Sequence, residues 1–109
     1  MTDQVLWVYV TAADAEEARQ IGRALVREHL AACVNILPGH TAIYRWDGAL
    51  HENEEVAFIA KTTAARFEDL RSRIRALHSY ETPAILALPA AEGDADFLTW
   101  VREQVAPGR

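Results

Sequence analysis

Strand-like and helix-like segments follow one another as β-α-β-β-α-β, with one more helical segment at the end. That order predicts an α+β fold of the ferredoxin-like type, an antiparallel sheet with helices on one face. Right-handed crossovers turn it into the split βαβ arrangement. Two further observations support one domain over residues 1–109. The length suits a single core, and no repeat, low-complexity tract or linker interrupts the chain.

The elements are legible in turn. "QVLWVYVTA" (Gln4–Ala12) is rich in valine and aromatics and apolar on both faces, as in a strand covered on both sides or lying at an interface. Asp14 reads as an N-cap, with Glu17 three residues on completing a capping-box-like pair. Ala18, Ile21 and Leu25 mark one helical face, Arg19, Arg23 and Arg27 lie off it, and the helix is expected to reach about Leu30. Residues 31–46 have strand character except at Pro38-Gly39. Asp47-Gly48 is a hairpin signal, and "EEVAFIAKT" (Glu54–Thr62) is the returning strand. Thr63 can cap a second helix, on which Phe67, Leu70, Ile74 and Leu77 step by three, four and three. The charged residues between them read as a solvated face. "AILALPA" (Ala84–Ala90) is a fourth strand. Asp94 opens a last helix with Phe97, Trp100, Val101 and Val105 on one side, and Ala106–Arg109 reads as a frayed end.

Segment lengths carry one more inference. At about 3.3 Å per residue, residues 31–46 span roughly 50 Å, whereas a helix of about 16 residues covers roughly 24 Å. The second and third strands are therefore expected to form a hairpin that overhangs the helices, with Ile43, Tyr44 and Trp46 on its projecting end. Exposed aromatics there need a partner, which predicts a closed homo-oligomer.

A formal net charge of −5 argues against a nucleic-acid or anionic-membrane partner. The single cysteine, Cys33, precludes an internal disulfide and fits a reducing, cytoplasmic setting. The N-terminal stretch lacks the basic region and cleavage pattern of a signal peptide, and no apolar run reaches membrane-spanning length. HExxH, Cys-x-x-Cys and glycine-rich phosphate loops are all missing, and no nucleophile-base pair is legible, so no enzyme activity is expected.

One stretch, "LHSYETP" (77–83), is open to two readings. His78 and Glu81 on one turn could bind a borderline divalent cation or act as an acid-base pair. Alternatively, His78 sits at the negative end of a helix dipole and Glu81 pairs with Lys61 or an arginine. Cys33 reads either as a core thiol or as a ligand brought together with its copies near a symmetry axis. Lys61, the one lysine beside ten arginines, stands at a strand end, either in a cleft or in solvent.

Five blocks then acquire a common meaning: "LVREHLAACVNILPG" (25–39), "IYRWDG" (43–48), "EEVAFIAKT" (54–62), "LHSYETPAILALPA" (77–90) and "FLTWV" (97–101). In order and spacing they resemble the CutA family, the divalent-cation tolerance proteins, over nearly everything from Val8 to Val105. Two positions depart from that pattern: Ser79 stands where the family has proline, and Ala84 where it has glutamate. The resemblance implies a tight homotrimer with sheets meeting around the axis, in the bacterial cytoplasm, linked to tolerance of copper and other divalent cations. It places His78, Tyr80 and Glu81 along an inter-subunit cleft with Lys61, Trp46 and Cys33. Cu(I) would prefer Cys33, and Cu(II) or Zn(II) would prefer His78 and Glu81, in weak or transient binding. Tyr80 is expected to be structural, its ring buried and its hydroxyl bonded. A second reading follows from a likeness to the trimeric PII signalling proteins: a sensor whose clefts take a small anionic ligand, with Lys61 and an arginine as positive groups. A third is a stable trimer that docks onto a partner protein.

Overall fold

The computed structural model describes residues 3–107. Its elements are β1 (Val5–Ala12), α1 (Ala15–Arg27), β2 (Cys33–Ile36), β3 (His40–Trp46), β4 (Ala49–Thr63), α2 (Phe67–Leu77), β5 (Ile85–Pro89) and α3 (Ala95–Gln104). The sheet runs β2-β4-β1-β5, antiparallel throughout, and β3 pairs with the first half of β4. This is the expected ferredoxin-like architecture, with the predicted second strand broken into β2 and β3 at Leu37–Gly39.

Local chemistry sets the boundaries. The Asp14 Oδ1 atom accepts the Glu17 N–H at 2.8 Å and starts α1. Hydrogen bonds from His29 N to Val26 O and from Leu30 N to Leu25 O close the helix in a Schellman motif. The regular helix stops at Arg27 rather than Leu30 because His29 takes the left-handed conformation, φ 60°, that this motif needs. Asp47 (φ 51°) and Gly48 (φ 78°) form the two-residue turn joining β3 to β4, with Trp46 opposite Ala49. Positive φ at both positions is the type I′ geometry that matches strand twist.

One expectation is corrected. Thr63 does not cap α2 with its side chain: a 3-10 turn, Ala64–Arg66, intervenes, and the Thr63 Oγ1 atom is buried without a partner. On α3, Val101 and Val105 pack with Val5, Ala32 and Leu98, whereas Phe97 and Trp100 stay exposed, their rings 5.8 Å apart. Of the C-terminal tail, Gly108 and Arg109 lie outside the described residues.

The main core lies between one sheet face and helices α1 and α2. Val8, Val10, Phe58 and Ala60 meet Ile21, Leu25, Leu70 and Ile74 there. Few side chains of β3 or of the first half of β4 are buried, and that hairpin projects beyond the helices as its length requires. Replacing the fully buried Phe58 with alanine is expected to lower unfolding stability by about 3–5 kcal/mol. Val26→Ala, on the outer side of α1, is expected to change it by less than about 0.5 kcal/mol. Urea denaturation monitored by circular dichroism checks both.

Candidate functional site

Helices α1 and α2 leave the second sheet face bare, and α3 touches it only at one end, through Val101 and Val105 against Val5; strand alternation assigns its residues. Glu55, Ala57, Ile59 and Lys61 of β4 point there, beside Thr11, Tyr9 and Trp7 of β1 in register. The same alternation continues out along the hairpin through His40, Ala42, Tyr44 and Trp46. β1 ends at Ala12, opposite Val56, so Glu55 lies just past its last pairing. The loop after α2 fills that gap.

His78 anchors the loop. Its side chain has no exposed surface, its Nε2 lies 2.7 Å from the Thr11 carbonyl oxygen, and its Nδ1 lies 3.0 Å from the Tyr80 backbone nitrogen. A carbonyl can only accept and a backbone N–H can only donate, so Nε2 carries the proton and Nδ1 accepts. Both nitrogens are thus engaged, which corrects the metal-ligand reading: this imidazole has no lone pair left for a cation. Glu17 holds the loop from the other side, accepting the Ala13 N–H at 3.0 Å and the Ser79 N–H at 2.8 Å. Burial by itself would raise the Glu17 pKa. Hydrogen bonds from Ala13 and Ser79, with the nearby His78, outweigh it and hold the carboxyl below its ordinary value.

Tyr80 turns back over the sheet, its ring 4.7 Å from that of His78 and its hydroxyl donating to Glu55 Oε2 at 2.8 Å. Burial, followed by the hydrogen bond to and negative charge of Glu55, pushes the phenol pKa up, so the hydroxyl remains a donor. The hydroxyl is bonded as expected, although the ring is only partly buried. Glu55 is itself 9% exposed, and His40 Nε2 stands 3.9 Å from its Oε1. These groups line a cleft of about 630 Å³ that also takes in Tyr9, Thr11, Tyr44, Trp46 and Glu81. Glu81 contributes its backbone carbonyl, not its carboxylate, to Arg75, which donates at 2.8 Å.

The expected site is therefore divided. Tyr80, Glu81 and Trp46 share the cleft. Cys33 and Lys61 are cross-strand partners six residues along β4 from Glu55, about 20 Å away. Lys61 is 7% exposed, with its ammonium 5.9 Å from the Trp7 ring. Among the described residues no group of three or more His, Cys, Asp or Glu side chains is arranged to hold a metal ion. Ile43 alternates onto the hairpin face opposite Tyr44 and Trp46, with Leu50 and Arg45, so the projecting arm carries exposed apolar side chains on both faces. Glu17, read from the sequence only as a helix cap, also holds the loop after α2, while Glu55 and Thr11 escape a reading by motif. Their signal was periodicity: Glu55 and Lys61 are the two charges on an otherwise apolar alternate face of "EEVAFIAKT".

Two outcomes test these roles. His78→Ala is expected to cost about 1–3 kcal/mol for each polar group it leaves unpaired, by urea denaturation, with Cu(II) uptake unchanged. Because the Glu17 pKa is lower folded than unfolded, the unfolded chain binds the extra proton as pH falls. The stability Glu17 confers over a Glu17→Gln variant is thus full above its ordinary value of 4.5 and disappears as pH drops through the folded value. Denaturation midpoints of both proteins between neutral and acid pH measure it.

Sequence and structure comparisons agree on the relatives. Residues 6–104 match the family model described as CutA1 divalent ion tolerance protein. The divalent-cation tolerance protein CutA of Thermus thermophilus is 51% identical over 96 residues, 88% of this chain and 93% of that protein. A solved structure of the divalent cation tolerance protein from Thermus thermophilus superposes with a TM-score of 0.90 at 49% identity, covering 92% and 97% of the two chains. CutA from Archaeoglobus fulgidus, described as a periplasmic divalent cation tolerance protein, gives 0.89 at 39% identity, covering 93% and 98%. CutA1 from Oryza sativa gives 0.93 at 32% identity, with 97% of each chain covered. With its fold, its block order and nearly its whole length shared with these proteins, the chain belongs to the CutA1 divalent ion tolerance family.

Proposed function

We propose that this protein acts as a non-enzymatic homotrimer that takes up divalent cations weakly and contributes to tolerance of copper and similar metals in the cytoplasm. The observation carrying the assembly is the uncovered apolar surface. Trp7 and Leu88 face each other across β1 and β5, Leu86 lies beside Tyr9, and Leu86 and Leu88 are 62% and 52% exposed. Tyr44 and Trp46 continue this exposed apolar surface along the hairpin, and Ile43 and Leu50 add exposed side chains on its other face. A second copy is the economical cover, and the family resemblance implies three.

Cation uptake is carried by the family's tolerance to divalent ions and by the donors still free within a protomer. The His78–Glu81 pair does not suit a metal, because His78 is bonded inward through both nitrogens. Cys33 and the Glu81 carboxylate remain, at opposite ends of the open face, so a site with several donors is built between copies. The cytoplasmic setting is supported by a single thiol with no disulfide. Cell fractionation tests it, and recovery of the protein with periplasmic markers would reverse it.

Native mass spectrometry of metal-stripped protein, titrated with Cu(II), tests the main reading. The expected species has three times the mass of the 12.2 kDa chain and takes up a small fixed number of copper ions, fewer after Cys33→Ser or Glu81→Ala. A monomer would remove the assembly, and a trimer with only a broad, nonspecific copper ladder would remove the cation role. One observation favours the anion-sensing alternative: Lys61 is largely buried with no carboxylate partner among the described residues. Saturable phosphate binding abolished by Lys61→Met would select that alternative.

A further inference from the structure

The inner end of the cleft is built from one protomer. At its base lies Glu55, a carboxylate in a residue that is nine-tenths buried. Its Oε2 is occupied by the Tyr80 hydroxyl, but its Oε1 has no donor within hydrogen-bond distance among the described residues, and His40 Nε2 stands 3.9 Å from it. Around it stand the rings of Tyr9, Tyr44 and Tyr80, and the volume of about 630 Å³ is that of a small-molecule site.

That combination selects a ligand class. An anion would meet Glu55 and Glu81 in a chain of net charge −5. A neutral apolar molecule would dehydrate a carboxylate oxygen without replacing its hydrogen bonds. A bare divalent cation needs several oxygen or nitrogen donors, and no such set is assembled here among the described residues. A positive group on an apolar body satisfies both features: charge against Glu55 Oε1, and ring faces for the cation and its carbon substituents. We propose that this cleft binds a small organic cation, a protonated amine with an apolar body, held by Glu55 and the rings of Tyr9 and Tyr80. Trp46 and Ile43 at the outer end are left for contact between copies, so the proposal does not depend on metal uptake.

The test is isothermal titration calorimetry of the full-length protein with benzylammonium chloride, using benzyl alcohol as the uncharged probe of the same shape. Saturable binding of one benzylammonium per chain is expected, with benzyl alcohol at least tenfold weaker. Glu55→Gln is expected to weaken benzylammonium at least tenfold, and Glu68→Ala, exposed on α2 away from the cleft, less than threefold. The alcohol comparison uses wild-type protein and so does not depend on any variant folding. Equal binding of alcohol and ammonium, no saturable heat at millimolar ligand, or an unchanged affinity in folded Glu55→Gln protein would each overturn the proposal. Trimer mass and copper uptake, measured separately, stand or fall on their own.

Discussion

Strand β4 is longer than the layer of helices that can cover it, and much of the molecule follows from that mismatch. Its second half, from Val56 to Thr63, is sandwiched between β1 and β2 beneath α1 and α2 and holds the buried Phe58 and Ala60. Its first half pairs with β3 alone and runs out into solvent. Fifteen strand residues extend for roughly 50 Å, about the 45 Å longest dimension of the chain, and no helix of 10 to 13 residues can shield that length. The projecting arm is thus a direct result of strand length, and so is the apolar surface it carries.

The cleft forms at the step between the two halves. β1 stops at Ala12, which leaves the edge of β4 beside Glu55 without a strand neighbour. A polar loop takes its place, and its shape is held by groups outside the loop: the Thr11 carbonyl holds the His78 ring, and the Glu17 carboxylate holds the Ser79 N–H. Each of these contacts satisfies a buried or half-buried polar group whose loss would carry a desolvation cost. The His78 Nδ1 accepts the Tyr80 backbone N–H, and the Tyr80 hydroxyl reaches Glu55. A histidine that resembles a ligand in the sequence is instead the hinge pin of the cleft wall.

Charge on the open face is arranged as sparingly as it is buried. Glu55 and Lys61 sit six residues apart on one side of β4, with Ala57 and Ile59 between them, too distant to pair. Neither therefore neutralises the other, and the residues between them on that face are apolar. The ionic contacts on the helical side differ in kind. Arg73 with Glu28 and Arg71 with Glu68 are exposed pairs that contribute little individually and keep that face in water.

Local and periodic properties were readable from the chain alone: the order of elements, the Asp14 cap, the Asp47-Gly48 turn, the faces of α1 and α2, and the overhang implied by counting residues. They are readable because short-range geometry dictates them, a fixed rise per residue, a period of two or 3.6, a turn that needs positive φ. The family was legible too, in five blocks of residues. The tertiary structure alone decided what the polar residues do. Whether His78 faces a metal or the Thr11 carbonyl depends on a strand 67 positions away, and whether Glu55 lies in solvent or beneath Tyr80 depends on where β1 ends. The division of Cys33 and Lys61 from Glu81 and Tyr80 is likewise a matter of register.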